Sequence, residues 1–261
     1  MSEVHRSPKP IEVSPAADAA KEMRRLSRRG LFWAGAALLG GEAARRWLNS
    51  RRLEEGTVWP LRRALEFNES LWRDQFSTRR LVRTYPRRLA KMPRPNGLGW
   101  MQAAYESEWR LRVTGVVGEE FTFTLADIKA LPRVEQVTRL CCIEGWSVIV
   151  HWTGTPFSAL LDRIGEGMAM DRQFIRYVQL ESSGDGYFVG LDVESALHPQ
   201  TLLCYEMMGK PLTLEHGYPL RLVAPTKYGV KSLKQIGEIR LMQTRPDDYW
   251  AIRGYDWYAG L

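Results

Sequence analysis

The sequence has few cysteines and histidines, which limits the metal and disulfide chemistry that it can support. Its 261 residues contain three cysteines, Cys141, Cys142 and Cys204, and four histidines. An odd, small number of cysteines excludes a disulfide framework. Zinc sites usually need cysteines or histidines at characteristic spacings, and neither the adjacent cysteine pair nor the histidines provide one. We therefore expect neither a disulfide-stabilised fold nor a zinc site.

Internal repeats are also absent, and the N-terminal apolar run covers only residues 31–41. Such a run is too short to cross a bilayer, which takes roughly 20 residues. It does have the length of the apolar region of a signal peptide.

The net charge is +7, but the basic residues are concentrated in the N-terminal part. Residues 1–95 contain 21 Lys/Arg against 10 Asp/Glu, whereas residues 96–261 contain 16 against 20. A nucleic-acid-binding domain would carry its basic excess on the folded module. We therefore expect no nucleic-acid partner, and the basic arm fits targeting or a membrane surface better.

Residues 1–44 resemble a twin-arginine export signal, because Arg28 and Arg29 stand just before the apolar run. The alternative is a basic amphipathic helix. No clear cleavage site follows the run, so cleavage near Ala43 or Ala44 and retention as a membrane tether both stay open. We expect a periplasmic or exported protein. The twin-arginine route exports proteins that are already folded. A protein that receives a large cofactor in the cytoplasm would need such a route.

The remaining chain divides into a basic, Trp-rich segment at residues 45–95, which we expect to wrap the core, and a folded domain at residues 96–261. Within the domain, alternating apolar residues predict strands, for example at residues 109–115, 134–142 and 236–242. Short helices are predicted between them, one of them capped by Thr124. Short strands mixed with short helices in no strict order indicate an α+β fold with mixed sheets.

Two blocks of the sequence, in the right order, resemble the sulfite-oxidase-fold molybdoenzymes. The first is Cys142-Ile-Glu-Gly-Trp146 followed by Trp152-x-Gly-x-Pro156, and the second extends from Met208 to Lys234. Within the family, the blocks are most similar to the catalytic subunit of the periplasmic protein-methionine-sulfoxide reductase. The resemblance covers roughly residues 96–245 and implies the sulfite oxidase fold.

The resemblance implies a molybdenum–molybdopterin cofactor with one cysteine thiolate on the metal. By its position in the motif, Cys142 is the metal ligand and the catalytic residue, and we interpret Cys141 and Cys204 as core residues. A thiolate is a soft ligand that suits a redox-active metal. The cofactor-binding residues expected on the same basis are Asn96, Ser182, His216, Arg221, Ser232, Leu233 and Lys234.

Each of these residues has an expected role. Arg221 offers a planar fork and Lys234 a point charge to the cofactor's phosphate, and the alternative for both is a solvated strand end. The backbone N–H groups of Ser232 and Leu233 are expected to form an anion-binding nest. His216 is expected to hydrogen-bond the pterin or the phosphate.

Three further interpretations concern the neighbourhood of Cys142. The Ser182 hydroxyl is expected to reach the cofactor. Glu144 either orients the loop or forms an exposed ion pair. Trp146 and Trp152 either line a substrate funnel or belong to the core.

The function that we expect is oxygen-atom transfer, in particular reduction of an S-oxide such as protein methionine sulfoxide. Sulfite oxidases proper follow the cysteine with Ala-Gly-Asn-Arg, whereas Glu144 and Trp146 would make a poor pocket for a dianion. A sulfite-oxidase-like dehydrogenase and a cofactor-less scaffold or binding member of the same fold are the alternatives.

The expected partner is a separate redox protein, because the sequence contains no Cys-x-x-Cys-His haem motif. The resemblance implies a haem-containing membrane subunit. We also expect a monomeric catalytic subunit, because 261 residues leave no room for an immunoglobulin-like dimerisation domain.

The export prediction can be tested by changing both Arg28 and Arg29 to lysine. Since the twin-arginine route reads the arginine pair itself, we expect the variant to accumulate in the cytoplasm. Cell fractionation followed by immunoblotting measures this, and unchanged export would contradict the twin-arginine interpretation.

Overall fold

The computed structural model describes residues 35–47, 53–54, 57–95, 97, 108–115, 120–166, 174–184 and 186–261. Two compact units are distinguished in the chain: one contains the helical residues 35–47 (α1), and the other contains residues 61–261. In the described ranges no helix is both long and apolar enough to cross a membrane. Arg28, Arg29 and Asn96 lie outside the described residues, so the predictions made for them stay predictions.

The other elements are mostly short. The helices are α2 (Trp59–Gln75), α3 (Leu125–Lys129), α4 (Phe157–Glu166) and α5 (Val193–Ala196). The strands are β1 (Leu53–Glu54), β2 (Thr57–Val58), β3 (Leu111–Gly115), β4 (Phe121–Phe123), β5 (Val134–Cys141), β6 (Ser147–Pro156), β7 (Tyr177–Ser182), β8 (Phe188–Asp192), β9 (Leu202–Met207), β10 (Lys210–Pro211), β11 (Arg221–Val223) and β12 (Ile236–Met242). Single 3₁₀ turns lie at Arg87–Leu89, Leu214–His216, Gly229–Lys231 and Ala251–Arg253.

Two five-stranded sheets form the body of the domain. The first has the order β10-β9-β6-β5, with β11 also paired to β9, and all its pairs are antiparallel. The second has the order β4-β3-β12-β7-β8, in which β12 is parallel to β3 and antiparallel to β7. The mixed sheets and short helices confirm the predicted α+β class.

Strand β9 separates two apolar clusters because successive side chains of a strand point to opposite faces. Leu203 and Tyr205 face the large core, together with side chains of both sheets, α3 and α4. Leu202 and Cys204 face a smaller cluster that also contains Trp152. Both faces of the first sheet are thus covered, which explains why β9 is apolar at every position except Glu206.

A segment that we call the strap, residues 77–95, runs along the edge of the first sheet. The backbone N–H of Tyr85 donates to Val137 at 3.0 Å, and that of Lys91 donates to Ile149 at 2.8 Å. The side chain of Gln200 binds both backbone groups of Val82. This part of the predicted wrapping segment therefore does lie on the core.

Several sequence predictions are confirmed at the level of single elements. Thr124 forms a complete capping box with Asp127 at the start of α3, and β12 has the predicted bounds. The strand predicted at residues 134–142 ends one residue earlier, because Cys142 begins a turn. Strands β6, β8 and β9 were missed, since a strand buried on both faces lacks the alternation on which the prediction relied.

A buried ion pair fixes the C-terminal segment to the second sheet. The Asp248 carboxylate accepts hydrogen bonds from the ammonium of Lys231 and from the backbone N–H groups of Gly190, Trp250 and Ala251. Lys231 and Asp248 are both almost fully buried. Burial lowers the pKa of Lys231, while the Asp248 carboxylate opposes that shift.

We predict that Asp248→Asn destabilises the protein by about 3–5 kcal/mol, because it leaves the buried Lys231 without a counter-charge. Urea unfolding followed by circular dichroism measures the change. The matched control is Glu120→Gln, which removes an exposed pair with Arg112 and should have little effect. Equal losses in the two variants would contradict this account.

Candidate active site

The turn between β5 and β6 presents Cys142 at the surface of a cavity. The N–H of Cys142 donates to the carbonyl of Trp146 at 2.9 Å, and the N–H of Gly145 donates back to Cys142 at 3.1 Å. Gly145 has φ of +88°, a conformation that glycine adopts without strain. The turn leaves the Cys142 thiol half-buried.

The cavity has a volume of about 330 Å³ and is lined by five separate parts of the chain. Three of these parts are the end of the strap with Gly97, the β5–β6 turn, and the loop before β8. The other two are residues 216–234 and the C-terminal segment after β12. Its lining residues are Pro93, Arg94, Gly97, Leu140, Cys142, Ile143, Glu144, Trp146, Tyr187, His216, Arg221, Gly229, Val230, Ser232, Lys234 and Trp250. Five of the eight predicted site residues, Cys142, His216, Arg221, Ser232 and Lys234, are therefore brought together.

Arg221 is one of two buried cations that line the cavity. Its guanidinium donates to the carbonyls of His216 at 2.9 Å and Ser232 at 3.2 Å, and it lies 5.0 Å from the centre of the Trp152 ring. Its Nε is buried without a hydrogen-bond partner. Burial lowers the pKa of Arg221 to about 10, so the group remains charged at neutral pH. The alternative of a solvated strand end is therefore wrong for Arg221.

The stretch from Ser232 to Lys234 departs in part from its predicted role. The N–H of Ser232 donates to Gly229, and that of Leu233 donates to Lys231. Both amides are thus used within the protein, and the Leu233 side chain lies in the large core. The predicted nest of these two N–H groups is corrected: Ser232 lines the cavity, whereas Leu233 anchors the stretch.

Lys234 adds a second cation to the cavity and is largely buried. It lies against Gly217, where a Cβ atom would come within 2.8 Å of the Lys234 Cβ. Gly217 also has φ of +98°. Glycine at this position therefore lets the turn that carries His216 approach Lys234.

His216 uses both ring nitrogens within the protein. Its Nδ1 lies 2.8 Å from the Thr213 hydroxyl, and its Nε2 lies 3.2 Å from the Pro93 carbonyl. Burial lowers the pKa of His216, and the charges of Arg221 and Lys234 lower it further. The ring is therefore neutral at neutral pH, and it ties the strap to the cavity wall. A hydrogen bond to a cofactor would require one of these two contacts to be given up.

Ser182 lies behind the cavity wall rather than on it. It is buried at the end of β7, its N–H donates to the carbonyl of Tyr187 at 2.9 Å, and its hydroxyl has no partner. Tyr187 itself lines the cavity and donates from its hydroxyl to the Val230 carbonyl at 2.7 Å. The predicted contact of Ser182 with a ligand is thus not formed by the wall as it stands.

The two tryptophans of the first motif have different positions. Trp146 lines the cavity, and its indole N–H donates to the Glu144 carboxylate at 3.0 Å. Trp152 is buried in the smaller apolar cluster, beneath Arg221. Of the two alternatives for each residue, the cavity wall applies to Trp146 and the core applies to Trp152.

Sequence reasoning missed Trp250 and Tyr187 as wall residues. Trp250 stacks edge-on against Tyr249 and Tyr255, and Tyr187 contacts Tyr249. No pattern in the C-terminal segment indicated that Trp250 would return to the cavity. Only the long-range fold brings these rings to the site.

The other two thiols differ from Cys142. Cys141 is the last residue of β5, and its carbonyl is closely approached by Gly229. Cys204 is fully buried, and burial raises its pKa to about 12, so it remains a protonated thiol. The predicted core position is confirmed for Cys204, whereas Cys141 is only half-buried and belongs to neither apolar cluster.

The donor set of the cavity fits a metal cofactor with an anionic tail. One half-buried thiol can act as a single soft ligand, and two buried cations, one with an unpartnered Nε, can hold a phosphate. Within the described ranges, no three His, Cys, Asp or Glu side chains are grouped so that they could hold a metal ion.

Most of the residues that line the cavity lie in a stretch that matches a known family model. Residues 98–250 match the family model of the oxidoreductase molybdopterin binding domain. A protein of Azospira oryzae, provisionally named protein-methionine-sulfoxide reductase subunit YedZ1, is 33% identical over 198 residues, which are 74% of this chain and 73% of that protein. The protein-methionine-sulfoxide reductase catalytic subunit MsrP of Xanthomonas campestris is 36% identical over 154 residues, 55% of this chain and 48% of that protein.

The chain thus spans about half of the length of the catalytic-subunit relative. Among solved structures, the sulfane dehydrogenase SoxCD of Paracoccus pantotrophus is similar with a TM-score of 0.50 and 20% sequence identity. The match covers 55% of this chain and 40% of that one. It supports the fold.

We predict that Lys234→Gln lowers the amount of pterin that co-purifies with the protein. The change removes a charge-assisted contact worth about 1.5–3 kcal/mol to a bound phosphate. Fluorescence of the oxidised pterin measures the content, and Lys210→Gln, on exposed β10, is the control. Equal pterin content in the two variants would refute the assignment of Lys234 to the phosphate.

Proposed function

The chain belongs to the family of oxidoreductases with a molybdopterin-binding domain, and we propose that it reduces S-oxides with Cys142 as the protein ligand of molybdenum. The observation that carries the proposal is the convergence of the Cys142 thiol, Arg221 and Lys234 on one cavity. When bound, the cofactor supplies a two-electron redox centre that can accept an oxygen atom. Protein methionine sulfoxide is the substrate class suggested by the names of the relatives.

The residues of this chain have separate tasks in the proposed reaction. The Cys142 thiolate holds the metal, while Arg221 and Lys234 hold the cofactor's phosphate at the other end. The cavity wall includes three aromatic side chains, Trp146, Trp250 and Tyr187. The apolar part of a methionine side chain in the substrate could pack against them.

Glu144 supports this substrate class over sulfite. It is the one carboxylate among the lining residues that the structure describes, and it accepts a hydrogen bond from Trp146. A carboxylate in the cavity wall would repel the sulfite dianion, whereas a neutral S-oxide carries no charge to be repelled. The reduction consumes two electrons and two protons and releases a sulfide and water.

Electrons reach the cofactor, in this proposal, from a separate haem-containing membrane protein. The names of the relatives describe subunits of a larger enzyme, which supports an external donor. We further propose export by the twin-arginine route on the basis of Arg28 and Arg29, which would put the reaction in the periplasm.

We predict that Cys142→Ser, expressed in a host that makes the cofactor, loses most of its molybdenum and its S-oxide reductase activity. The soft thiolate is replaced by a hard hydroxyl that stays protonated. Cys141→Ser, in the adjacent residue, is the matched control and should retain both. Metal analysis by mass spectrometry measures the first effect.

The activity is assayed with reduced benzyl viologen and either free or protein-bound methionine sulfoxide. Sulfite oxidation with an artificial acceptor is measured in parallel. Molybdenum-loaded protein that oxidises sulfite but does not reduce S-oxides would overturn the proposed substrate. Wild-type protein without molybdenum would favour the scaffold alternative.

A further inference from the structure

The charged residues of the strap are all basic. Residues 77–95 contain seven Lys/Arg and no Asp or Glu. All seven side chains are exposed. They are Arg79, Arg80, Arg83, Arg87, Arg88, Lys91 and Arg94.

None of these cations forms an ion pair within the part of the chain that the structure describes, whereas several cations elsewhere on the domain do. Arg133 pairs with Glu135, Arg240 with Glu238, and Arg245 with Glu69. On the strap, Arg83 only stacks over Tyr85, at 5.2 Å. A row of unpaired like charges creates a positive potential that attracts an acidic partner.

Apolar side chains are interleaved with the cations. Leu81, Leu89 and Met92 are 60%, 44% and 55% exposed. Exposed Arg and Met side chains are enriched in protein–protein interfaces. The contacts of redox proteins with their partners are typically small and transient, and a charged surface with a few apolar side chains suits such a contact.

The strap is held in place and ends at the cavity. Backbone hydrogen bonds fix it to Val137 and Ile149, and the Pro93 carbonyl accepts from His216. Ile149 lies opposite Arg139 in the β5–β6 pair, and three residues of extended chain, roughly 10 Å, separate Arg139 from Cys142. A protein docked on the strap would therefore lie beside the metal-binding turn.

We infer that the strap is the docking surface for the acidic face of the protein that delivers electrons. This inference rests on the proposed function, since only a reductase that receives its electrons from another protein needs such a donor. A protein partner is favoured over a lipid surface, because the strap lacks the continuous apolar face of an interfacial helix and its apolar residues are isolated. A donor docked on the strap would hold its redox centre closer to the cavity than a donor docked on the opposite side of the domain.

The test uses the full, cofactor-loaded protein and reduced flavodoxin, a small acidic redox protein, as the probe. The strap variant is Arg87→Glu/Arg88→Glu. The control is Arg163→Glu/Arg176→Glu, which changes the net charge equally at exposed positions that neither line the cavity nor belong to the strap. Stopped-flow absorbance gives the second-order rate of flavodoxin oxidation with methionine sulfoxide in excess.

We expect the strap variant to react about tenfold more slowly than wild type at low ionic strength, and the control variant to react at nearly the wild-type rate. The difference should shrink in high salt, because the screening length falls to about 3 Å at 1 M. Turnover with reduced benzyl viologen, which needs no docking surface, should persist in all three proteins.

Other outcomes decide against the proposal. Equal rates for the strap and control variants, or no oxidation of flavodoxin by a protein that is active with viologen, would overturn it. If the strap variant lost binding to phosphatidylglycerol–phosphatidylcholine vesicles while its flavodoxin rate stayed unchanged, the partner would be a lipid surface. Absence of turnover with viologen in wild type would instead mark the failure of the proposed function.

Discussion

The buried guanidinium of Arg221 is the contact on which the geometry of the cavity depends. It binds the carbonyls of His216 and Ser232 and stacks on Trp152, so one side chain connects two loops to the first sheet. These carbonyls stabilise the charge without neutralising it, because they carry no formal charge. The remaining positive charge and the free Nε are what an anionic ligand could use. The group is therefore both a structural link and a binding element.

The second constraint is the antiparallel register of β5 and β6. It sets Cys141 opposite Ser147 and leaves a turn of five residues, in which Cys142 comes first. A shift by one residue would reverse the facing of every side chain along β5. The close approach of Gly229 to the Cys141 carbonyl then brings the Arg221–Lys234 region against the turn. The candidate metal ligand and the two cations proposed to bind the phosphate are thus positioned by the sheet.

Much of the fold and site could be predicted from the sequence. Alternation predicted β3, β5 and β12, and Thr124 marked the start of α3. The two motif blocks gave five residues that do meet in one cavity. The prediction was weaker where backbone groups were concerned. The backbone N–H groups of Ser232 and Leu233 donate hydrogen bonds within a tight turn. Residue type does not indicate which acceptor a backbone N–H group will bind.

The sequence by itself determined the α+β class, the family and the identity of the candidate metal ligand, because periodicity and motif spacing are local properties. Only the tertiary structure decided that Trp146 lines the cavity while Trp152 lies in the core, since residues six apart on a turn and a strand can face opposite sides of a sheet. It alone also brought Trp250 and the strap to the same cavity. Contacts between residues about 100 positions apart in the chain are set by packing, and no local pattern encodes them.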